Sequence, residues 1–259
     1  MGELSGQVAA ICGGTSGVGL AIAQAFANDG ASLMLSGRRA EKGDSALAEL
    51  NIGDRAAYIQ GDGTDKAHCE DLIAQTVARY GKIDILVNCA GGSKDNAPVA
   101  ELSDDAMEFG MNVNFWSSFW LTRAALGHMI PQNYGRIIFI SSVEGKVGKP
   151  GLAAYVAPKH AVNALTKTVA REVGTLGITV NALCAGAMDT PMMRESGPEA
   201  AESLGMTYED LLGWFAQESA TKRLVTVEDC AMVASLLVSE AGAGMTGGMI
   251  SIDGGTAPY

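Results

Sequence analysis

Tyr155 and Lys159 are the two side chains of this sequence best suited to move a proton together. At a spacing of four residues, both side chains lie on one face of an α-helix. A lysine ammonium favours the charged form of a neighbouring phenol, so we expect Lys159 to lower the pKa of Tyr155 from its usual value of about 10. A phenol shifted in this way can exchange a proton with an alcohol oxygen. Such pairs are common in helices, so the meaning of this one depends on the surrounding elements.

Short apolar runs alternate with longer helical patterns along the 259 residues, which is typical of a parallel sheet covered by helices on both faces. Seven strands are predicted, at residues 7–12, 31–36, 56–60, 83–88, 135–141, 178–183 and 249–253. Gly30, Gly81 and Gly177 stand where left-handed residues would end three of the helices between them. We therefore expect one α/β domain over residues 1–259, with a doubly wound sheet of the Rossmann type.

The stretch of residues 187–226 is longer than a connection between a strand and the last helix requires. It contains two prolines and many methionine, leucine and aromatic residues, including Met193 and Trp214. We expect it to form short helices of its own.

Charge and composition exclude several classes of partner. The sequence has 18 basic and 29 acidic residues, and the resulting net charge of −11 disfavours nucleic acid and anionic membrane surfaces. Five scattered cysteines without a C-x-x-C pair predict reduced thiols and a cytoplasmic protein. No membrane span or signal peptide is expected. His68, His128 and His160 lack ligand spacing with the cysteines, so we expect no metal site.

A glycine-rich loop directly follows the first predicted strand and opens a helix. Residues 12–19 read C-G-G-T-S-G-V-G. Glycines at such a turn allow the backbone to approach a pyrophosphate, which the helix N-terminus attracts. The loop has no Walker-type lysine, so a nucleoside triphosphatase is disfavoured. The sequence predicts a dinucleotide site here, with a purely structural glycine turn as the alternative.

The spacing of this loop resembles the T-G-x-x-x-G-x-G motif of the short-chain dehydrogenases/reductases, with Cys12 in place of the usual threonine. Further motifs of the family follow in order along the whole chain: D-V-T-D resembles residues 62–65, N-N-A-G residues 88–91, P-G residues 185–186, Y-x-x-x-K residues 155–159 and D-G-G residues 253–255. Several motifs in the right order are more specific than any one alone. The chain is identified as a member of this family.

The resemblance implies hydride transfer between a nicotinamide cofactor and a secondary alcohol or ketone, with Tyr155 as the general acid or base. Ser142 would hydrogen-bond the substrate oxygen, Lys159 would hold the nicotinamide ribose and Asn114 would position a water of the proton relay. The cofactor-binding residues that it implies are Gly13, Thr15, Ser16, Gly17, Val18, Gly19, Arg38, Asp62, Gly63, Asn88, Ala90, Gly91, Tyr155, Lys159, Gly186, Met188 and Thr190. It also implies a homotetramer, assembled through the helices that carry Asn114 and Tyr155 and through the last strand. Residues 187–226 lie where the family has a substrate lid, and their methionine and aromatic content indicates that it closes an apolar pocket.

Two of these assignments have a neighbouring competitor. Alternation along the strand should turn Ser141 away from the site, which favours Ser142. Asn112 lies two positions before Asn114, but the spacing to the following helix favours Asn114.

The end of the second strand bears on which nucleotide is used. Residues 36–39 read S-G-R-R and contain no carboxylate. In the family, an aspartate there suits the ribose of NAD, whereas an arginine suits the extra phosphate of NADP. We therefore favour NADP, with Arg38 at its phosphate. NAD remains the alternative, in which case Arg38 and Arg39 are two solvated loop residues.

Residues 220–228 resemble hydroxybutyrate dehydrogenases, yet the groups with which those enzymes hold a carboxylate are missing. Glu144, Leu152 and Ala187 stand where they have histidine, lysine and a bulky aromatic residue. Because Glu144 would repel an acid, we expect a neutral, largely apolar secondary alcohol or ketone. The predicted substrate contacts are Ser142, Glu144, Tyr155, Met193 and Trp214. The alternatives are a 3-hydroxy acid dehydrogenase and a non-catalytic nucleotide-binding scaffold.

Overall fold

The structure is a computed structural model and describes residues 2–257, except for the side chain of residue 203. Its strands are β1 (Val8–Cys12), β2 (Ser32–Gly37), β3 (Ala56–Gln60), β4 (Ile85–Asn88), β5 (Gly135–Ser142), β6 (Ile178–Ala185) and β7 (Met249–Ile252). Its α-helices are α1 (Gly17–Asn28), α2 (Ala40–Leu50), α3 (Lys66–Tyr80), α4 (Asp104–Gly110), α5 (Ser117–Gln132), α6 (Ala153–Val173), α7 (Pro191–Ser203), α8 (Tyr208–Glu218) and α9 (Val227–Val238). Residues 1, 258 and 259 of the predicted domain lie outside the described residues.

The seven strands form one parallel sheet in the order β3-β2-β1-β4-β5-β6-β7, which confirms the predicted Rossmann-type fold. Side chains alternate across the sheet: Ala9 and Ile11 of β1 pack into one core, and Ala10 and Cys12 pack into the other. Helices α1, α2 and α9 cover the first core, and α3, α5 and α6 cover the second. The strand order reverses between β1 and β4, which opens a crevice at the carboxyl ends of these two strands.

The two strands nearest the predicted proton-transfer residues are longer than predicted. Strands β5 and β6 pair over eight residues, from Gly135 opposite Ile178 to Ser142 opposite Ala185. The ladder therefore holds Ser142 rather than ending before it. Strand β4, in contrast, begins two residues later than predicted, next to Asp84, whose carboxylate accepts a hydrogen bond of 2.8 Å from the Val8 backbone.

The segment at residues 187–226 contains the short helices that its length predicts, α7 and α8. A single carboxylate connects them, because Asp189 accepts two hydrogen bonds of 2.9 Å from Arg194 of α7 and one of 2.9 Å from the Tyr208 hydroxyl of α8. Thr207 begins α8 with a capping box. The segment is thus a defined helical unit. Among residues 2–257, no helix has both the length and the apolar character needed to cross a bilayer.

Candidate active site

Helices α4 and α6 meet unusually closely beside the predicted catalytic residues. Pro158 lies inside α6 and has no N–H to donate to the carbonyl oxygen of Ala154. Gly110 packs against that oxygen, so closely that a Cβ at Gly110 would lie 1.9 Å from it. After Gly110 the chain forms a π-helical turn, Met111–Trp116, before α5 begins. Turns of this kind are frequent at functional sites, and this one contains Asn114.

Asn114 is buried, and its side-chain amide is held on three sides. The Nδ2 atom donates to the carbonyl oxygens of Gly92 and Gly110, each at 2.8 Å, and Oδ1 accepts from the Gly92 N–H at 3.2 Å. A Cβ at Gly91 would lie 3.0 Å from Asn114 Oδ1 and 3.1 Å from Lys159 Nζ. Asn114, Lys159 and the loop after β4 therefore meet at one point.

Ser142 and Tyr155 lie together at the carboxyl end of β5, as predicted. The Ser142 hydroxyl donates to the Glu144 carboxylate and accepts from the Glu144 backbone N–H at 3.3 Å. It also interacts with the Tyr155 phenol. Ser142, rather than its competitor Ser141, is therefore the serine that contacts the tyrosine.

The predicted lowering of the Tyr155 pKa is wrong for the residues as the structure places them. Burial, and to a lesser degree the Glu144 carboxylate, raise the pKa of Tyr155 to about 12, against the opposing effect of Ser142. Lys159 Nζ lies 5.4 Å from the centroid of the Tyr155 ring and donates to the Ile140 carbonyl oxygen at 2.7 Å. Burial lowers the pKa of Lys159 to about 8. At neutral pH the phenol keeps its proton, which suits it to donate that proton to a carbonyl oxygen.

The shifted pKa of Lys159 has a measurable effect on stability. Between its folded value of about 8 and its ordinary value of 10.5, the unfolded chain binds a proton that the folded protein has released. The free energy of unfolding, relative to that of the Lys159→Met variant, should therefore rise by about 2 kcal/mol between about pH 8 and pH 10. Urea unfolding at the two pH values measures this difference. A difference that does not change with pH would contradict the lowered pKa.

The N-terminus of α1 opens into the crevice and suits an anion. Ser16 precedes the helix without a side-chain hydrogen bond to it, and the first turn contains no acidic residue. Gly17 faces the start of α7, since a Cβ at Gly17 would lie 3.8 Å from the Cβ of Thr190. Unpaired N–H groups and the helix dipole favour a negative group at this position. The predicted pyrophosphate site therefore fits the residues present.

Further residues of the predicted cofactor site lie near the carboxyl ends of β3 and β4. Asp62 accepts a backbone hydrogen bond of 2.9 Å, and a Cβ at Gly63 would lie 3.1 Å from that of Ala90. The Asn88 side chain is hydrogen-bonded to other groups of the protein. Its amide nitrogen donates to two serine hydroxyls of α5 at 2.9 and 3.0 Å, and its amide oxygen accepts from the Ala90 N–H at 3.0 Å. This arrangement holds the backbone of Ala90 and Gly91 in place.

The run after β6 forms the wall opposite α1. A Cβ at Gly186 would lie 2.9 Å from the Cα of Asp253 in the closing D-G-G motif. Met188 packs against the first core. The Thr190 hydroxyl caps α7 by accepting from the Met193 N–H at 3.2 Å. On the facing side, Val18 of α1 is buried.

Lys149 is a site residue that the sequence analysis missed. Its ammonium lies 3.9 Å from a Glu144 oxygen and 3.1 Å from a Glu218 oxygen. It also lies 5.0 Å from the ring centroid of Trp214 and 4.6 Å from that of Phe215, within the range of a cation–π contact. Lys149 therefore joins α8 to the loop between Ser142 and Tyr155. The one sequence feature that could have identified Lys149 was its position between Ser142 and Tyr155. Its contact with Glu218 joins residues that are 69 positions apart in the sequence.

The helical segment also contacts the other end of the crevice. Glu195 of α7 pairs with Arg39 at 3.1 Å. Arg38 beside it is exposed and has no ion-pair partner within residues 2–257. Met192 reaches the loop after β4, 4.0 Å from where a Cβ of Gly92 would lie. Residues 187–226 thus bridge the crevice from Arg39 to Lys149.

The chemistry of the site follows from these contacts. A half-buried phenol, a serine hydroxyl and a lysine ammonium surround one point beside a crevice suited to a dinucleotide, where a carbonyl oxygen could be polarised and protonated. Within the described part of the chain, no three His, Cys, Asp or Glu side chains are grouped so as to hold a metal ion. Fold and site together define a dinucleotide-dependent oxidoreductase.

Comparisons with known proteins identify the family. A family model described as short chain dehydrogenase matches residues 7–201. The D-beta-hydroxybutyrate dehydrogenase of Rhizobium meliloti (strain 1021) is 36% identical over 256 residues, which cover 96% of this chain and 98% of the relative. The 3beta-hydroxysteroid dehydrogenase of Mediterraneibacter gnavus is 33% identical over 270 residues, covering 100% of this chain and 98% of the relative. A crystal structure of a variant actinorhodin polyketide ketoreductase with NADPH matches at a TM-score of 0.93 and 31% identity, covering 100% of both chains.

The chain belongs to the short-chain dehydrogenase/reductase family, as its motifs predict. It is an NAD(P)-dependent oxidoreductase that acts on alcohol and ketone groups. The alternative of a non-catalytic scaffold is therefore set aside.

Proposed function

We propose that the protein uses NADP to interconvert a neutral, largely apolar secondary alcohol and its ketone. The observation that carries the proposal is the charge beside the proton-transfer residues. The negative field of the Glu144 carboxylate acts directly on the Ser142 hydroxyl, whereas Lys149 is already paired with Glu144 and Glu218. This field disfavours a carboxylate substrate and tolerates a neutral one.

Each of the four predicted catalytic residues has a role that its contacts support. Tyr155 donates its proton to the substrate oxygen during reduction and accepts it during oxidation, and Ser142 hydrogen-bonds the same oxygen. Lys159 places a positive charge beside these two residues and would bind the nicotinamide ribose. Asn114 holds the loop after β4 in place. The nicotinamide, when bound, supplies or accepts the hydride. Its pyrophosphate would lie at Ser16 and Gly17, where the open end of α1 supports it.

A 3-hydroxy acid is the second candidate substrate, because one relative is named as a D-beta-hydroxybutyrate dehydrogenase and Lys149 supplies a cation. Reduction of acetoacetate and of butanone, which lacks the carboxylate, separates the two. We expect kcat/KM to be higher for butanone, since Lys149 is already paired with two glutamates. A higher value for acetoacetate would reject the neutral substrate in favour of the acid.

The choice of nucleotide rests on Arg38, which is exposed at the end of β2 and free to bind a phosphate. Replacing it with alanine should weaken NADPH binding by about 10- to 100-fold, the loss of one charge-assisted contact, and leave NADH binding nearly unchanged. The control is Arg39→Ala, whose arginine is already paired with Glu195. Fluorescence titration gives the dissociation constants. Equal affinity of the wild-type protein for NADH and NADPH would overturn the assignment.

A homotetramer is proposed from exposed apolar side chains, one of them in the turn that carries Asn114, where the resemblance implies an interface, and two of them on α9. Trp116 is 39% exposed and stacks on Trp120 near the start of α5, and Met232 and Leu236 of α9 are 68% and 45% exposed. Covering such side chains favours association. Light scattering should give four times the chain mass, and a monomer would remove the proposal.

The free thiols of the five cysteines support a cytoplasmic location.

A further inference from the structure

The hydroxyl of Ser142 has one hydrogen, and a neighbouring carboxylate binds it. Ser142 Oγ donates to Glu144 Oε2, while the Glu144 backbone N–H donates back to Ser142 Oγ at 3.3 Å. A carboxylate only accepts hydrogen bonds, so the direction of the first bond is fixed. In the proposed reaction, the same hydrogen must point at the substrate oxygen. Substrate and Glu144 therefore compete for one donor.

Few other donors can serve the Glu144 oxygen once Ser142 turns away. The Glu144 side chain is only 16% exposed, which limits access of water. Lys149 Nζ is 3.9 Å from the other carboxylate oxygen, beyond a hydrogen bond, and lies 3.1 Å from Glu218. A buried carboxylate oxygen left without a donor is unfavourable. Binding of a simple ketone would therefore break a charge-assisted bond without replacing it.

From this competition we infer that the substrate carries a second hydroxyl, on the carbon next to the reacting one, which donates to Glu144. The donor and the acceptor both lie within reach of such a molecule, because Ser142 Oγ and Glu144 Oε2 are themselves in hydrogen-bond contact. The ketone oxygen accepts a hydrogen bond from the Ser142 hydroxyl. The neighbouring hydroxyl of the substrate then replaces Ser142 as the hydrogen-bond donor to the Glu144 carboxylate. The substrate class is an α-hydroxyketone in one direction and a vicinal diol in the other. The inference rests on the proposed function and narrows it.

Matched ketone pairs test the inference. Acetoin is butanone with an added α-hydroxyl, and α-hydroxycyclohexanone bears the same relation to cyclohexanone. For the wild-type protein we expect kcat/KM to favour the hydroxyketone of each pair by at least about tenfold, since one charge-assisted hydrogen bond separates the two. Part of this ratio reflects the reactivity of the ketones themselves, so the decisive quantity is the change of the ratio in a variant.

In Glu144→Ala the hydroxyketone advantage should fall by about tenfold or more, because the acceptor is gone and the Ser142 hydrogen is free for either ketone. Glu144→Gln keeps a neutral acceptor of similar shape and should give an intermediate ratio, which also serves if the alanine variant folds poorly. Ratios that are the same in wild type and both variants would overturn the inference. Equal turnover of both members of each pair by the wild-type protein would do the same and leave the proposed function intact. Absence of turnover of all four ketones with either nucleotide would count against the proposed function itself.

Discussion

Replacing Tyr155 by phenylalanine should lower kcat by about 10²- to 10⁴-fold, the usual contribution of a general acid or base. The variant keeps the half-buried aromatic ring and loses only the hydroxyl, whose pKa of about 12 keeps it protonated and able to donate. The dissociation constant of the nucleotide should change little, because the backbone of the glycine loop and the N-terminus of α1 are untouched. Steady-state kinetics and nucleotide titration measure the two effects separately.

Tyr134→Phe is the matched control for this experiment. Tyr134 is half-buried, precedes β5 and lies at the opposite end of that strand from Ser142. Removing its hydroxyl should leave kcat at the wild-type value. Wild-type turnover by Tyr155→Phe would show that another group moves the proton.

Replacing Gly19 by alanine should weaken nucleotide binding by roughly 100-fold. A Cβ at Gly19 would lie 2.1 Å from the carbonyl oxygen of Gly13 and 3.1 Å from the Cα of Gly14. Backbone atoms cannot rotate away, so the loop must move and its N–H groups lose their alignment toward the pyrophosphate. The loss of one or two charge-assisted hydrogen bonds accounts for a change of this size. Titration with NADPH and NADH measures it.

Gly127→Ala controls for the added methyl group. Gly127 is exposed on α5, and no heavy atom outside its own stretch of helix lies within 4 Å of its Cβ position. This substitution should leave nucleotide binding intact and raise stability by up to about 1 kcal/mol, the helix preference of alanine over glycine. Nucleotide affinity of Gly19→Ala equal to that of the wild-type protein would mean that the cofactor does not bind over this loop.

The sheet and the positions of the candidate catalytic residues could be predicted because both depend on local patterns. Apolar runs set the seven strands, and alternation along β5 distinguished Ser142 from Ser141. The motif Tyr155-x-x-x-Lys159 lies on one face of α6 as its spacing requires. The ends of β5 and β6 were less predictable, because pairing with a neighbouring strand extends them.

The environment of the catalytic residues could not be predicted from spacing. The pKa of Tyr155 depends on burial, which reverses the direction expected from a nearby lysine. Lys149 reaches Glu218 only because α8 folds back over the loop after β5. Asn88 turns its amide toward α5, which no motif indicates. These are contacts between distant parts of the chain.

As a member of this family, the chain transfers a hydride between a nicotinamide and a secondary alcohol or ketone. The most direct test follows nicotinamide absorbance while the wild-type protein and NADPH are mixed with a panel of neutral ketones and hydroxyketones. We expect the absorbance to fall in proportion to the alcohol formed. The Tyr155→Phe variant should slow that fall by about 10²- to 10⁴-fold. No absorbance change with any member of the panel, using either NADPH or NADH, would contradict the assignment.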